Sequence, residues 1–324
     1  MRTIVAAGVL VAFSFGVRAV GAQPFLAVSN EGSGDVTLID LATERVVATI
    51  PVGPRPRGIQ VDPTSRRVYV ALSDDSPEAE SDDDAIAVLD LEKRAVVARY
   101  AAGTDPEQFA VSPDGKRLYS SNEDAGLAST TDVATGQLIS QHVVGIEPEG
   151  VAVSPDGRWV YVTAETSSTV SVIDTRSDEV VSTFLVDVRP RAAAFSADGT
   201  AAYITAEIGG TISFVDVGSH TVTDVVALGD AKPVGVVVSP DGKTVYAANG
   251  RSNTVSVVDV ATKQVIATIP VGKRPWGIAI SPDGRRLYTA DGESNAISVI
   301  DPATRRVLST IPVGRRPWGV VVVP

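Results

Sequence analysis

Lys273-Arg274-Pro275-Trp276-Gly277-Ile278-Ala279-Ile280-Ser281-Pro282-Asp283-Gly284 returns 42 residues later as Arg315-Arg316-Pro317-Trp318-Gly319-Val320-Val321-Val322-Val323-Pro324. Self-similarity at such a period marks a repeat architecture. Two anchors count the copies. An Asp closes each Val-Ser-Val-Ile-Asp-like run at Asp40, Asp90, Asp132, Asp174, Asp216, Asp259 and Asp301, with spacings of 50, 42, 42, 42, 43 and 42. A proline opens each Pro-x-Gly-like step at Pro56, Pro106, Pro148, Pro190, Pro233, Pro275 and Pro317, with one early interval of 50. Both anchors give seven units.

Each unit reads as four short strands. Gly277 to Ile280 is apolar, Ser281-Pro282-Asp283-Gly284 is turn chemistry, and Arg286 to Asp291 returns as a second strand. Ala296 to Asp301 and Arg306 to Ile311 follow as the third and fourth, separated by a turn at Pro302 to Arg305. The reading is all-β: a seven-bladed β-propeller of four-stranded antiparallel blades, which controls exposed sheet edges by radial repetition. The N-terminal copy, Phe25 to Ile50, holds only strands two to four. Gly319 to Val323 is expected to supply its first strand, closing the ring by pairing the C-terminal strand with the N-terminal blade.

Residues 1–22 stand apart. Arg2 precedes an apolar stretch from Ile4 to Val17, and small residues at Val20-Gly21-Ala22 precede Gln23, which reads as a secretory signal peptide. The expected organisation is therefore a signal peptide over 1–22 and one propeller over 23–324, exported to the periplasm or beyond and monomeric. Without that segment the chain carries 26 basic against 39 acidic residues, a formal charge of −13. This balance disfavours a nucleic-acid surface. Zero cysteines exclude disulfides, thiolate metal sites and covalent c-type haem. The two histidines, His142 and His220, fall on different blades, so neither a histidine metal cluster nor a Ser-His-Asp triad is expected.

The Pro-x-Gly steps launch each inner strand, so their flanking residues ring one mouth of the central channel. From blade one to blade seven these pairs are Arg316/Trp318, Arg55/Arg57, Asp105/Glu107, Glu147/Glu149, Arg189/Arg191, Lys232/Val234 and Arg274/Trp276. Blades seven, one and two make a basic arc with two tryptophans; blades three and four make an acidic one. At the end of strand two, Glu31, Glu123, Glu165 and Glu207 occupy equivalent positions, against Gly250 and Gly292 in blades six and seven. A mouth of this kind suits a small polar or anionic ligand, with guanidinium groups on oxyanions and indoles stacking. The competing expectation is that neighbouring Arg and Glu pair across blades, with the tryptophans as plugs between them.

The 50-residue interval comes from the acidic insertion Ser73 to Asp84 in blade two, which reads as a solvated loop, since its spacing does not match an EF-hand. Blade three carries Ser129-Thr130-Thr131 where other copies have Val and Ile, which predicts a weaker blade.

Tyr161-Val162-Thr163-Ala164 and Thr169-Val170-Ser171-Val172-Ile173-Asp174 resemble the YVTN-type β-propeller repeat over roughly residues 25 to 324. Asp105-Pro106-Glu107-Gln108-Phe109, Glu147-Pro148-Glu149-Gly150, Arg189-Pro190-Arg191, Glu207-Ile208-Gly209-Gly210-Thr211 and Pro317-Trp318-Gly319 resemble the PQQ-dependent catabolism-associated β-propeller proteins. That resemblance implies a secreted accessory protein acting beside alcohol oxidation and transport, with no catalytic residue to carry over. The acidic insertion and the short Leu228-Gly229-Asp230-Ala231-Lys232 connection depart from the pattern. The leading expectation is a non-enzymatic propeller that binds a small polar ligand or a periplasmic protein, with no cofactor and no metal. Two other readings stand beside it: a lactonase-like hydrolase in which Glu107, Glu149 or a bound cation activates water, and a surface-layer or adhesion module.

Overall fold

A computed structural model describes residues 24–73 and 84–324. The segment 1–22, expected to be a signal peptide, and almost all of the acidic insertion lie outside the described residues. Seven four-stranded antiparallel sheets form the ring, and no helix among the described residues is long and apolar enough to cross a membrane. The inner strands are Pro317–Val323, Pro56–Val61, Pro106–Val111, Pro148–Val153, Pro190–Phe195, Pro233–Val238 and Pro275–Ile280, for blades one to seven.

Blade one joins both ends of the chain, as the repeat count predicts. Its inner strand Pro317–Val323 pairs antiparallel with Phe25–Asn30, with Phe25 opposite Val323, Leu26 opposite Val322 and Val28 opposite Val320. Asp35–Asp40 and Arg45–Pro51 complete the sheet. Leu26, Ala27, Val28 and Val323 are fully buried, so the seam is packed like any other blade.

Local chemistry explains the repeat anchors. The Asp that recurs in every unit caps the turn between strands three and four: the Asp40 carboxylate accepts from the Thr43 amide at 2.8 Å, and that of Asp259 from the Thr262 amide at 2.8 Å. In every blade the register slips once between strands three and four, at Leu38/Ile39 in blade one and Val299/Ile300 in blade seven. Bulges of this kind raise the local twist a ring of sheets requires.

The hydrophobic core is seven layers between adjacent blades rather than one centre. Leu26, Val28 and Ile39 of blade one pack with Tyr288, Ala290 and Ile297 of blade seven. Blade three meets its sequence departure with hydrogen bonds: Ser129 donates to the Asn122 side chain, and Thr131 donates to the Ala101 carbonyl at 2.6 Å. Its third strand, Leu127–Asp132, pairs on both sides along its whole length.

Candidate functional site at the channel mouth

The mouth is built by a recurring backbone device. In six of the seven steps the residue before proline takes a left-handed conformation, with φ of 36° at Arg55, 40° at Asp105, 56° at Glu147, 64° at Arg189, 56° at Arg274 and 51° at Arg316. Non-glycine residues rarely adopt it, and such positions gather at functional sites. Blade six departs here, since its connection turns through Gly229 at φ 67°. The left-handed turn aims the pre-proline carbonyl at the end of strand two. There it accepts from the amides of Glu31 (Arg316 O, 2.9 Å), Glu165 (Glu147 O, 2.8 Å) and Glu207 (Arg189 O, 2.8 Å). Glu123 joins the Asp105 carbonyl at 3.3 Å. Each glutamate is thereby clipped beside the Pro-x-Gly side chain of its own blade.

The glycine of the step has a separate reason. A Cβ on Gly150 would stand 2.5 Å from the Arg191 carbonyl, and one on Gly277 would stand 2.6 Å from that of Trp318. Backbones of adjacent inner strands pass this closely only where the side chain is a hydrogen. Hydroxyls from strand two steady the same carbonyls across blades: Ser29 donates to Arg57 O at 2.5 Å, Ser121 to Glu149 O at 2.7 Å and Thr205 to Val234 O at 2.7 Å. The x residues are therefore held on a rigid rim.

Around that rim, the charges that sequence sorts into arcs interleave in space. Arg57 meets Glu31 at 3.1 Å and also pairs with Glu107 of the next blade. Arg316 reaches Glu31 at 3.2 Å, and Arg55 lies 3.6 Å from Asp105. On the other side Arg191 meets Glu149 at 2.7 Å and pairs with Glu165, while Arg189 contacts Glu165 at 2.6 Å and Glu207 at 3.5 Å. Glu107 and Glu149 are 2 % and 4 % exposed, and Arg191 is 6 % exposed. Charges so deep persist only when paired. Glu147 stands apart from this chain of pairs, taking the Thr166 hydroxyl instead. Arg251, on the strand-two loop of blade six, was not singled out from sequence; it contacts Glu207 at 3.2 Å. No repeat position signals it, because the other copies carry no arginine there.

Trp276 and Trp318 stack in parallel, 6.1 Å between centroids at 16°. Arg274 lies over Trp276 at 4.4 Å and Arg191 at 5.3 Å, so one indole receives two cations. Burial holds the Arg274 guanidinium below its ordinary value. Val234, Gly250 and Gly292 leave blades six and seven without a carboxylate at these rim positions.

Two features stand out chemically. The Glu123 carboxyl is pushed up to about 7, chiefly by burial and then by the charges of Glu149 and Asp105, against the pull of Arg57 and Arg191. Asp105, Glu107 and Glu123 bring carboxylate oxygens within 4.8 Å of one another. Arg191 Nε has no hydrogen-bond partner among the described residues, although both of its terminal nitrogens are engaged. Below them the channel opens into a cavity of about 450 Å³ whose wall includes Glu149, Arg191, Trp276 and Trp318. The histidines lie elsewhere: His142 is 3.1 Å from Asp178, and His220 is 2.8 Å from the Tyr161 hydroxyl.

Beneath the rim, Asp291 of blade seven replaces the asparagine found at Asn30, Asn122 and Asn249. It is fully buried, accepts from Thr289 and Ser298, and burial pushes its carboxyl up to about 6. A folded value above the unfolded 3.8 means stability is highest below about pH 3.8 and is lost as pH rises through 6. Two units correspond to roughly 3 kcal/mol. Asp291→Asn is expected to gain about 1–3 kcal/mol at pH 8 and little at pH 4, measured by urea unfolding at both.

This is a seven-bladed β-propeller with a charged, indole-lined mouth, and sequence comparison narrows it. The choice-of-anchor I domain family matches residues 20–232, which is 213 of the 324 residues, and the chain belongs to that family. The family Lactonase, 7-bladed beta-propeller, matches residues 187–310. No curated protein matches the chain. Among solved structures, Kuenenia stuttgartiensis hydrazine synthase is similar at 22 % identity and a TM-score of 0.77, over 86 % of this chain and 92 % of that one. A Bacteroides fragilis protein described provisionally as a 6-phosphogluconolactonase is similar at 20 % identity and a TM-score of 0.76, over 95 % and 99 %. One from Bacteroides uniformis, described in the same provisional way, is similar at 18 % and 0.77, over 93 % and 99 %. At these identities the structures share the fold.

Proposed function

We propose that the mouth is a lactonase-type hydrolytic site that opens a cyclic ester with water. The observation that carries this is a carboxyl near neutrality, Glu123, close enough to feel the charges of Glu149 and Arg191, the two charged residues of the cavity wall, where Arg191 Nε is a buried donor without a hydrogen-bond partner among the described residues. A general base works best when its pKa lies near the operating pH. The Glu123 carboxylate takes a proton from water as the water oxygen bonds to the ring carbonyl carbon. The carbonyl electron pair moves onto oxygen, where Arg191 Nε–H stabilises the oxyanion. The oxyanion collapses, the ring C–O bond breaks, and the leaving alkoxide recovers the proton from Glu123, giving the hydroxy acid. Glu107 and Glu149, the bases sequence favoured, are each held by a guanidinium group in the folded chain. The partial Lactonase match and the two provisional 6-phosphogluconolactonases support the reading.

Under this reading kcat/KM for a simple lactone rises with pH through about 7, following ionisation of Glu123. Glu123→Gln is expected to lower kcat by ~10²–10⁴ and abolish that limb. Unchanged turnover in this variant, or none in the parent chain on any lactone tested, overturns the proposal.

The second reading is binding without turnover, the accessory role implied by the YVTN-type and PQQ-associated resemblance. The stacked indoles, with Arg274 and Arg191 over the ring of Trp276, favour it as a recognition surface. Saturable tryptophan-fluorescence quenching by a carboxylic acid without lactone hydrolysis would select it. Export is part of both readings, resting on the apolar Ile4 to Val17 segment, and amino-terminal sequencing of the secreted chain tests it.

A further inference from the structure

The side chains that line the space beneath the mouth are mostly apolar. Among the described residues the charged side chains of the cavity wall are Glu149 and Arg191 at its upper end, and its other hydrogen-bonding side chains are Gln60, Gln108 and the indole N–H groups of Trp276 and Trp318. The remainder includes Phe195, Val236, Val238, Ile280, Val320 and Val322, from four consecutive inner strands of blades five to one. Of these Phe195, Val238, Ile280 and Val322 are only partly buried, although inner strands are flanked by blades on both sides. The cavity is of the size that takes a small molecule, roughly 300–1,000 Å³.

Such a wall discriminates by chemistry. A polyhydroxylated ring pushed down the channel would leave hydroxyls without partners, at a cost in desolvation. A phosphoryl group would need cations there, whereas Lys273 and Arg315 are exposed outside the wall. An unbranched hydrocarbon arm brings no hydroxyl or charge that needs a partner in this space, and the indoles of Trp276 and Trp318 carry apolar ring surface up to the mouth. Arg191 Nε marks where the oxygen-bearing end belongs.

We infer that the ligand is an amphiphile: a lactone, or its open-chain acid, whose polar end lies at Glu149 and Arg191 and whose alkyl arm of several carbons runs down the central channel. The inference rests on the hydrolytic reading only for the lactone; the placement of an acid's alkyl arm does not need turnover.

The test uses the full chain and two series. Straight-chain carboxylates from butanoate to decanoate are titrated by tryptophan fluorescence and calorimetry. γ-Lactones from γ-butyrolactone to γ-decalactone, with glucono-δ-lactone beside them, are followed for hydrolysis. Affinity is expected to tighten roughly three- to fourfold per added methylene until the channel is filled, the transfer value of one buried CH₂. Val322→Phe should flatten the chain-length series, abolishing the gain from butanoate to decanoate; Val238→Phe, on another blade, repeats the test, with thermal unfolding as the folding control. A flat chain-length series in the parent chain, or preference for glucono-δ-lactone over γ-decalactone, overturns the inference. Hydrolysis of γ-butyrolactone with a flat series sinks the alkyl arm and leaves the hydrolytic reading. Graded carboxylate binding with no turnover does the reverse.

Discussion

Arg191→Met is expected to destabilise the protein by about 3–5 kcal/mol, the range found when one partner of a buried ion pair is removed. Arg191 contacts Glu149 and Glu165, which are 4 % and 5 % exposed. Glu165 keeps Arg189 at 2.6 Å, so the uncompensated charge falls mainly on Glu149. An isolated buried carboxylate answers by binding a proton, which raises its folded pKa above the unfolded one. Stability lost in this way is greatest at alkaline pH and shrinks as the medium becomes acid. Urea titrations at pH 8 and pH 5 should therefore show a smaller deficit at pH 5. Adding Glu149→Gln should recover much of it at pH 8, since an amide needs no counter-ion. Arg191→Lys is expected to fall between, because an ammonium keeps the charge but cannot serve two carboxylates with one planar fork. A deficit under about 1 kcal/mol would show that the rim ring contributes little to holding blades four and five together.

Deleting residues 317–324 is expected to remove cooperative folding at 25 °C. The deletion exposes the edge of Phe25–Asn30 and withdraws the partners of Leu26, Ala27 and Val28, all fully buried. It also removes Trp318, Val320 and Val323 from the interfaces on either side. Each large apolar side chain contributes about 1.5–3 kcal/mol on burial. Several together rival the whole net stability of a domain, about 5–15 kcal/mol. Calorimetry and near-ultraviolet circular dichroism would report the loss, and a sharp transition within a few degrees of the parent would refute it. Removing Pro324 alone is the control; its carbonyl accepts one exposed contact from Arg66, worth little. Because Trp318 belongs to both the seam and the mouth, a Trp318 variant that loses ligand needs the same folding control.

The blade count, the strand order and the closing seam were all legible, because each follows from local signals repeated at one period. Pro-x-Gly launches an inner strand, Ser-Pro-Asp-Gly turns it back, and Asp caps the third-to-fourth turn, whatever the neighbouring blade contains. The mouth positions were legible for the same reason, down to Arg57, Glu107, Glu149, Arg191, Trp276 and Trp318. Asp291 also left a readable trace, as the one acid where three other copies place asparagine.

What could not be read was how these side chains meet. Listed by blade, the charges form a basic and an acidic arc, yet Arg57 reaches across to Glu107 and Glu31 while Arg191 spans Glu149 and Glu165. Which guanidinium reaches which carboxylate depends on blade rotation and rotamer, which a repeat period does not encode. Nor does spacing measure solvent. Glu123 looks like Glu31, Glu165 and Glu207 in the sequence, yet its carboxyl is pushed up to about 7, because burial beside Glu149 and Asp105 outweighs the attraction of two arginines. Sequence by itself determined the scaffold, since short-range turn chemistry and strand periodicity are properties of neighbouring residues. Tertiary structure decided the chemistry of the mouth, since desolvation and charge pairing are set by groups that only ring closure brings together.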